Sequence, residues 1–387
     1  MSLGAVQTRA ARRRGRAASG TASALVAVVV MSLASTTDAA DAASPITEYG
    51  PVPSSIPIGG VCETEFDQNG KLWVEQYASS QMARFDTKKN TFDQFNTPMP
   101  LSVPGGMEMG PDGYLWSTQV TGNSLLRINT STGAMEEIIL PWANALNTTP
   151  LNLPAHTGLT LTNDITLGAD NVLWFTLGGI NAIGRIDPAT REMTKYQVPG
   201  EIGGQAASLF GIIKPGPGCG IVFDIPQQNK LATIDIDTKK FTIYTMPTPA
   251  SFPVGVRTDD KSFIWVSESA GMKIARIDPA TSTIVEYPLF GVNGLLKDLT
   301  GDSLGNPLPL PGPIAQGSDG NIYFLLSFPI ATGLGNQIAQ FNPATHAIKQ
   351  WSTPSSFTSP CDLNPNQPGS IWFGELTTNK ISRLKLS

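Results

Sequence analysis

A short apolar segment recurs seven times along the 387-residue chain, and this repeat limits the possible folds more than any other feature. Its copies are GKLWVEQ (70–76), GYLWSTQ (113–119), NVLWFTL (171–177), GIVFDIP (220–226), SFIWVSE (262–268), NIYFLLS (321–327) and SIWFGEL (370–376). A second element follows at a near-constant offset, as in ARIDPATSTIVEY (275–287), and its Asp-Pro turn is typical of two strands joined by a tight turn. Each unit therefore predicts four short strands in about 45–50 residues, the size of one propeller blade.

The last unit is one strand short, and the missing strand stands at the other end of the chain. The chain ends at NKISRLKLS (379–387), whereas ITEY (46–49) resembles fourth strands such as VEYPL (285–289). We predict an all-β fold, a seven-bladed β-propeller of four-stranded blades, with the ring closed by the N-terminal strand pairing into the last blade. The aromatic residue of each second strand should pack between blades, because one blade cannot bury its own faces.

The first 44 residues differ from the rest of the chain. Five arginines between Arg9 and Arg16 precede an apolar run at 22–34, which small residues and an Ala40-Asp41-Ala42 pattern follow. This order is typical of a secretory signal peptide. We predict a signal peptide and linker at 1–44 and one propeller domain at 45–387, in a secreted, extracellular protein. A signal anchor or a disordered arm is the alternative.

Charge excludes some classes of partner. Without residues 1–44 the chain keeps 21 basic and 29 acidic residues, a net charge of about −8, and has no basic cluster. This balance disfavours nucleic acid and anionic membranes as partners. We expect a monomer with a small-molecule ligand. Sequons at Asn129 and Asn147 are consistent with export and glycosylation.

Three cysteines remain in the predicted mature chain, so at least one is unpaired within it. Cys62 and Cys361 lie near the first strands of the first and last blades, which are neighbours across the ring closure. A disulfide between them would fasten the ring in an oxidising compartment.

Several segments of the sequence resemble those of a known family. ITEYGPVP (46–53), GGMEMGPDGYLW (105–116), NAIGRIDPAT (181–190), VEYPL (285–289) and WFGELTTNKISRL (372–384) strongly resemble the virginiamycin B lyase family of seven-bladed propellers. The resemblance extends over essentially all of residues 46–387. It implies elimination at an ester of a cyclic depsipeptide, with Mg²⁺ or another divalent cation on carboxylates and a histidine for proton transfer, at the channel mouth.

Propeller topology selects the carboxylates. The residue that ends each second strand should emerge on the face where first strands begin, and four repeats place a polar residue there: Gln76, Gln119, Glu268 and Glu375. First-strand stretches add Glu65, Glu108, Asp164 and Asp362, with Arg257 as a basic counterpart. Our candidate metal ligands are Glu268, Glu375, Glu108 and Glu65. The alternative is that such groups are polar because the channel contains water.

Only two histidines are present. His346 lies in an outer hairpin, where an exposed turn residue is expected. His156 lies in the long connection between blades 2 and 3, so it is the candidate catalytic residue for proton transfer. No repeat contains a histidine before its first-strand glycine, which departs from the family pattern.

Two long insertions, 141–164 and 288–313, follow blades 2 and 5 and should lie on the face of Glu268. Their Leu, Pro, Trp142 and Phe290 content suggests an apolar rim for a peptide-like or polyketide-like ligand. The sequence thus supports a lyase-like or lactone-opening enzyme. The alternative is a non-catalytic propeller that binds a ligand or protein partner at the channel face.

Overall fold

A computed structural model describes residues 44–142, 160–200, 211–289, 310–326 and 336–386. In these ranges the chain forms seven four-stranded antiparallel sheets, with short 3₁₀ turns at Gly178–Ile180 and Pro226–Gln228. This arrangement confirms the predicted all-β, seven-bladed propeller. The predicted signal peptide at 1–44 lies outside the described residues, apart from Ser44. No helix in the described ranges is long and apolar enough to cross a bilayer.

The strands of each blade follow the chain from the axis outward. The first strands are β2 (Val61–Phe66), β6 (Pro104–Met109), β10 (Ile165–Leu167), β14 (Ile213–Pro215), β18 (Pro253–Thr258), β22 (Pro311–Gln316) and β26 (Pro360–Asn364). The second strands are β3 (Leu72–Gln76), β7 (Leu115–Gln119), β11 (Leu173–Leu177), β15 (Gly220–Ile225), β19 (Ile264–Glu268), β23 (Ile322–Leu326) and β27 (Ser370–Glu375). The third strands are β4 (Gln81–Asp86), β8 (Ser124–Ile128), β12 (Ala182–Ile186), β16 (Lys230–Asp235), β20 (Lys273–Asp278), β24 (Gln337–Phe341) and β28 (Lys380–Lys385). The outer strands are β5 (Thr91–Asn96), β9 (Met135–Ile139), β13 (Met193–Gln197), β17 (Phe241–Thr245), β21 (Thr283–Pro288), β25 (Ile348–Ser352) and β1 (Ile46–Tyr49).

The ring closes as the sequence predicts. Strand β1 pairs antiparallel with β28, in a register that places Ile46 opposite Leu384 and Tyr49 opposite Ile381. The N-terminal strand is therefore the outer strand of blade 7. A second closure, between the first strands of blades 7 and 1, is the Cys62–Cys361 disulfide, which confirms the predicted pairing, while Cys219 is free and exposed.

Aromatic residues of the second strands hold neighbouring blades together. Trp73, for example, is fully buried against Met107 and Leu115 of blade 2. Trp116, Trp174, Trp265 and Trp372 are likewise buried in clusters that join two blades. Each indole N–H also donates to a side-chain oxygen in the turn before its strand, as Trp265 does to Asp259 at 2.8 Å. The turn aspartates of the repeat are therefore structural, since a buried indole needs an acceptor.

The blades give the propeller two different faces. First strands begin and second strands end on one face, which we call the mouth face, and the other we call the opposite face. The first strands of adjacent blades contact each other around the whole ring and enclose a central channel. Five of them carry a β-bulge, and a bulge leaves backbone groups outside the ladder.

Candidate functional site

A cluster of buried charges fills the central channel. Its acids are Glu63, Glu65, Glu75, Glu108, Asp164, Asp224 and Asp362, and its bases are Lys214 and Arg257. Acids predominate on blades 1 to 3, whereas both bases come from the first strands of blades 4 and 5. This cluster contains two of our four predicted metal ligands, Glu65 and Glu108.

Several of these carboxylates join the first strands of adjacent blades. Glu63 accepts a hydrogen bond from the Met107 N–H at 3.0 Å, and Asp224 accepts one from the Gly255 N–H at 2.8 Å. Both N–H groups belong to bulged stretches of β6 and β18. A bulge N–H has no partner within its own ladder, so a carboxylate from the neighbouring blade satisfies it. These acids therefore stabilise the ring itself.

Lys214 is the main counterion of the cluster. Its Nζ lies 2.8 Å from Asp164 Oδ2, and the same oxygen accepts the Ile213 N–H at 2.9 Å. Burial alone would lower the pKa of Lys214, but Asp164, Glu63 and Asp362 raise it above its ordinary value. The ammonium therefore stays charged throughout the neutral range.

Glu65 and Glu108 lie deeper, toward the opposite face. Glu65 accepts hydrogen bonds from the side-chain amides of Asn364, at 2.9 Å, and Asn366, at 3.1 Å, and both belong to blade 7. Burial raises the pKa of Glu65 to about 8, and the nearby charge of Glu108 adds to the rise. At neutral pH Glu65 is therefore mostly protonated, which allows it to donate as well as accept a hydrogen bond.

The channel cluster encloses a cavity of about 30 Å³ between Glu63, Glu65, Glu108, Lys214, Arg257 and Asp362. One water needs roughly 10–15 Å³ of such volume, so the cavity has room for about two waters. A peptide-like compound needs a pocket of a few hundred Å³ or more. Any ligand of that size must therefore lie outside the channel interior.

The structure places Glu268 and Glu375 away from this cluster. Each ends the second strand of its own blade, in blades 5 and 7, and faces the third and outer strands of that blade rather than the channel. Glu375 accepts hydrogen bonds from the hydroxyls of Ser382 (2.6 Å) and Thr378 (2.5 Å). Sequence topology predicted their face correctly, but it missed that these side chains point toward the outer strands of their own blades.

The same polar arrangement recurs in both blades. In blade 5, Lys273 bonds Glu286 at 2.7 Å, and Glu286 also accepts the Thr248 hydroxyl from the preceding connection. In blade 7, Lys380 bonds Glu48 at 2.5 Å, and Glu48 accepts the Ser355 hydroxyl. These networks tie the outer part of a blade to the connection that precedes it.

Glu268 itself is fully buried, and although Ser251 and Glu286 lie near its carboxylate, neither makes a hydrogen bond of good geometry to it. Burial raises its pKa to about 7, and the nearby carboxylate of Glu286 adds to the rise. The equivalent residues of blades 1 and 2 are the buried amides Gln76 and Gln119. A neutral side chain of this length is therefore compatible with the site.

This comparison predicts that Glu268→Gln stabilises the protein at pH 8. An acid whose folded pKa is raised to about 7 loses stability as the pH rises from its unfolded value of 4.5 through 7. We expect a gain of about 1–2 kcal/mol at pH 8 and about a quarter of that at pH 5, measured by denaturant unfolding. Glu375→Gln should show a smaller gain, because burial also raises the pKa of Glu375 but hydrogen bonds from Ser382 and Thr378 partly offset the rise. Equal stability of Glu268→Gln and the parent at both pH values would contradict the prediction.

Of the two histidines, the structure describes only His346. It is exposed in the hairpin between β24 and β25, and its ring lies 5.0 Å from that of Tyr287 and 5.7 Å from that of Phe341. This is the outer turn position that the sequence predicts. His156, the candidate catalytic residue, lies outside the described residues.

The four predicted metal ligands are not brought together. Glu65 and Glu108 lie in the channel, whereas Glu268 and Glu375 lie in separate networks two blades apart. Within the described ranges, no group of three or more His, Cys, Asp or Glu has the geometry to hold a metal ion. The residues that the structure describes therefore do not fit the family's cation, and the divalent cation stays a prediction.

Sequence reasoning missed four members of the channel cluster: Glu63, Glu75, Lys214 and Asp224. A signal was present for three of them, and for two it lies in a second strand, because Glu75 and Asp224 interrupt the apolar segments LWVEQ and GIVFDI. A charged residue inside a buried strand needs a specific partner. Lys214, within GIIKPG, stands out in the same way.

The chain forms a closed seven-bladed β-propeller with charged groups along its central channel. Comparison with known proteins shows which propellers it is similar to. Residues 153–302 match the model of the virginiamycin B lyase family. One similar structure is that of virginiamycin B lyase from Staphylococcus aureus with quinupristin, solved as a catalytically inactive histidine-to-alanine variant. The two folds align with a TM-score of 0.69 at 21% sequence identity, and the alignment covers 88% of this chain and 99% of that one. A streptogramin B lyase structure has a TM-score of 0.68 at 23% identity, covering 88% and 97%. The chain is a virginiamycin B lyase-like propeller.

Proteins of other functions share this architecture. Hydrazine synthase from Kuenenia stuttgartiensis has a TM-score of 0.61 at 12% identity and covers 86% of this chain and 97% of its own. A comparison with curated proteins found no match. At these identities the structural matches show the fold alone.

Proposed function

We propose that this protein is an exported enzyme that binds a cyclic peptide-like or polyketide-like compound on the mouth face and opens an ester or lactone bond in it. One observation carries the choice of face. All connections between the described strands on the opposite face have four to six residues. The mouth face has five connections of ten residues or more: 140–164 (25 residues), 289–310 (22), 198–212 (15), 50–60 (11) and 327–336 (10). Long connections on a rigid scaffold are where binding and catalysis concentrate.

The comparisons support the reaction class. The virginiamycin B lyase from Staphylococcus aureus, which has the same fold, was solved with quinupristin as a histidine-to-alanine variant that is catalytically inactive. In a ring-opening elimination, a base takes a proton from the carbon next to the C–O carbon, the C–O bond breaks, and a carboxylate and a C=C bond form. A neutral imidazole suits this transfer near pH 7. We propose His156 for this role, because it belongs to the longest mouth-face connection.

The channel cluster contributes stability in this proposal, not chemistry. Its carboxylates bond backbone N–H groups and Lys214, and its cavity of about 30 Å³ is too small for the ligand. Mg²⁺ would polarise the ester carbonyl if it binds. The described carboxylates do not assemble its ligands, so this part of the proposal depends on a metal-binding measurement.

A second candidate is a non-catalytic propeller that binds the same kind of ligand. The placement of Glu268 and Glu375 favours it, because these two of the four acids that the sequence assigned to a metal face the outer strands of their own blades. Both candidates place the ligand on the mouth face, and they differ in whether a bond is broken.

The test is incubation of the purified mature protein with quinupristin, followed by mass spectrometry. Elimination gives a linear product of unchanged mass with a new C=C bond, whereas hydrolysis adds one water. We expect ring opening by the parent protein, a loss of at least roughly a hundredfold in His156→Ala, and no change in His346→Ala. A chelator and added Mg²⁺ establish whether a cation is needed. Binding without any ring opening would support the non-catalytic candidate, and neither binding nor opening would remove the proposal for this compound class.

A further inference from the structure

The two faces of the propeller differ sharply in charge. In the described ranges, the mouth-face connections contain a single Asp, Glu, Lys, Arg or His, which is Asp164, buried and paired with Lys214. The opposite-face connections contain many, including Asp67, Lys88, Asp112 and Asp187. Since a charged ligand group needs a countercharge to offset its desolvation, the described mouth face is suited to uncharged groups.

Exposed apolar side chains concentrate on one sector of this neutral face. Of the six large apolar residues that are exposed in the described ranges, four lie in three successive connections, those between blades 6 and 7, 7 and 1, and 1 and 2. They are Ile56, Ile58, Leu101 and Phe357, and we call them the apolar crescent. Leu101 is 78% exposed and Phe357 is 67% exposed.

The backbone holds two crescent residues in a left-handed conformation, at an energetic cost. Leu101 and Phe357 have φ angles of +60° and +56°, a region that residues with large side chains rarely adopt. The Leu101 carbonyl accepts the Thr121 hydroxyl at 2.5 Å, and the Phe357 carbonyl accepts the Thr377 hydroxyl in the same way. Both side chains are therefore presented to solvent by connections with matching hydrogen bonds.

The fold does not require large apolar side chains at these positions. The connection between blades 4 and 5 has the same left-handed turn, with Ala250 at φ +53° in the equivalent position. An alanine there supports the same backbone, so the exposed Leu and Phe are unnecessary for folding. Apolar groups that stability does not require, clustered beside a channel mouth, indicate a binding surface.

From these observations we infer that the apolar crescent, through Leu101 and Phe357, binds an uncharged apolar group of the ligand, such as an aromatic ring or a branched alkyl chain. The inference rests on the proposed function for the location of the ligand. It adds the chemistry of the group that is recognised and the residues that select it. The charged side chains that reach the connection of Phe357 are Lys380 and Glu48, and they already pair with each other, so neither is an unpaired countercharge for a ligand.

The test compares two double variants of the mature chain. The first variant, Leu101→Ala with Phe357→Ala, places alanine at both positions, as the chain itself does at the equivalent position Ala250. Ile139→Ala with Val285→Ala is the matched control, because both residues are exposed apolar positions on outer strands, at 52% and 37%. The probe is Nile red, an uncharged polycyclic dye whose fluorescence rises in an apolar site, and quinupristin ring opening is measured in parallel.

We expect the crescent variant to bind Nile red at least roughly tenfold more weakly than the parent, and the control variant to bind it equally well. Equal affinity of both variants and the parent, or no dye binding by the parent, would overturn the inference. Crescent-dependent dye binding without any ring opening would support the inference while the catalytic proposal fails. Ring opening of quinupristin with an unchanged KM in the crescent variant would retain the proposed function and overturn the inference.

Discussion

Replacement of the Cys62–Cys361 disulfide by two serines should lower the free energy of unfolding by about 2–4 kcal/mol and the melting temperature by roughly 5–10 °C. The bond joins residues 299 positions apart, so it closes almost the whole propeller into a loop. A cross-link over a long loop removes much of the conformational entropy of the unfolded chain. The pairing of β1 with β28 remains in the variant, so the ring stays closed and the fold is kept.

The design includes a control for the loss of a thiol. Cys219→Ser should leave the melting temperature unchanged, because Cys219 is exposed and unpaired. Tryptophan fluorescence reports the transition directly, since the indoles of Trp73, Trp116 and Trp372 are buried between blades. A reductant should lower the melting temperature of the parent to that of the double-serine variant. A parent protein that melts at the same temperature with and without reductant would show that the bond contributes nothing.

The fold could be predicted from the sequence because its determinants are local and repeated. The apolar second-strand segment occurs seven times and the turn of the following hairpin six times, so errors in one copy are corrected by the others. The incomplete last unit also predicted the closure by ITEY, which the register of Ile46 with Leu384 confirms. Even the disulfide followed from counting repeats, since blades 1 and 7 must be neighbours in a closed ring.

The site was harder to predict because it depends on side-chain direction and on bulges. Glu268 was assigned to the channel mouth from its strand-end position, but its side chain faces Lys273 and Glu286 of its own blade. Side chains alternate between the two faces of a strand, so a shift of one residue reverses their direction. Glu75 and Asp224 lie one position before the strand end in their own blades, and they do belong to the channel cluster. The bulges whose N–H groups donate to Glu63 and Asp224 have no reliable sequence signal, so the role of these acids in joining blades emerges only in three dimensions.

Lys214→Met should destabilise the protein by about 3–5 kcal/mol at pH 8, the cost of leaving buried carboxylates without their counterion. Lys214 is buried, and its Nζ lies 2.8 Å from the fully buried Asp164. Glu63 and Asp362 also face the ammonium, and Arg257 is the only other cation of the channel cluster within the described ranges. Methionine fills a similar volume, so the loss measures the charge and not a cavity.

The loss should shrink markedly at pH 5, because the cluster acids can take up protons in place of the ammonium. Burial raises the pKa of Glu63, and Asp164 raises it further, while burial also raises the pKa of Asp164 despite Lys214. When folding raises the pKa of an acid, the stability gained from its proton is fully present below the unfolded pKa, near 4. This stability is lost as the pH rises through the folded pKa. Removal of Lys214 raises those folded values further, so the penalty grows between pH 5 and pH 8.

A matched variant separates burial from charge pairing. Lys273→Met removes a lysine that lies at nearly the same distance, 2.7 Å, from Glu286, but the lysine and glutamate side chains of this pair are 23% and 16% exposed. Solvent screens such a pair, so its loss should cost about 1 kcal/mol or less and depend little on pH. Chemical denaturation of both variants at pH 5 and pH 8 provides the comparison. If Lys214→Met costs no more than Lys273→Met at pH 8, the channel carboxylates are hydrated, and the acids of blades 1 to 3 are free to bind a cation or a ligand. A large, pH-dependent cost shows instead that these acids and Lys214 stabilise the closed ring.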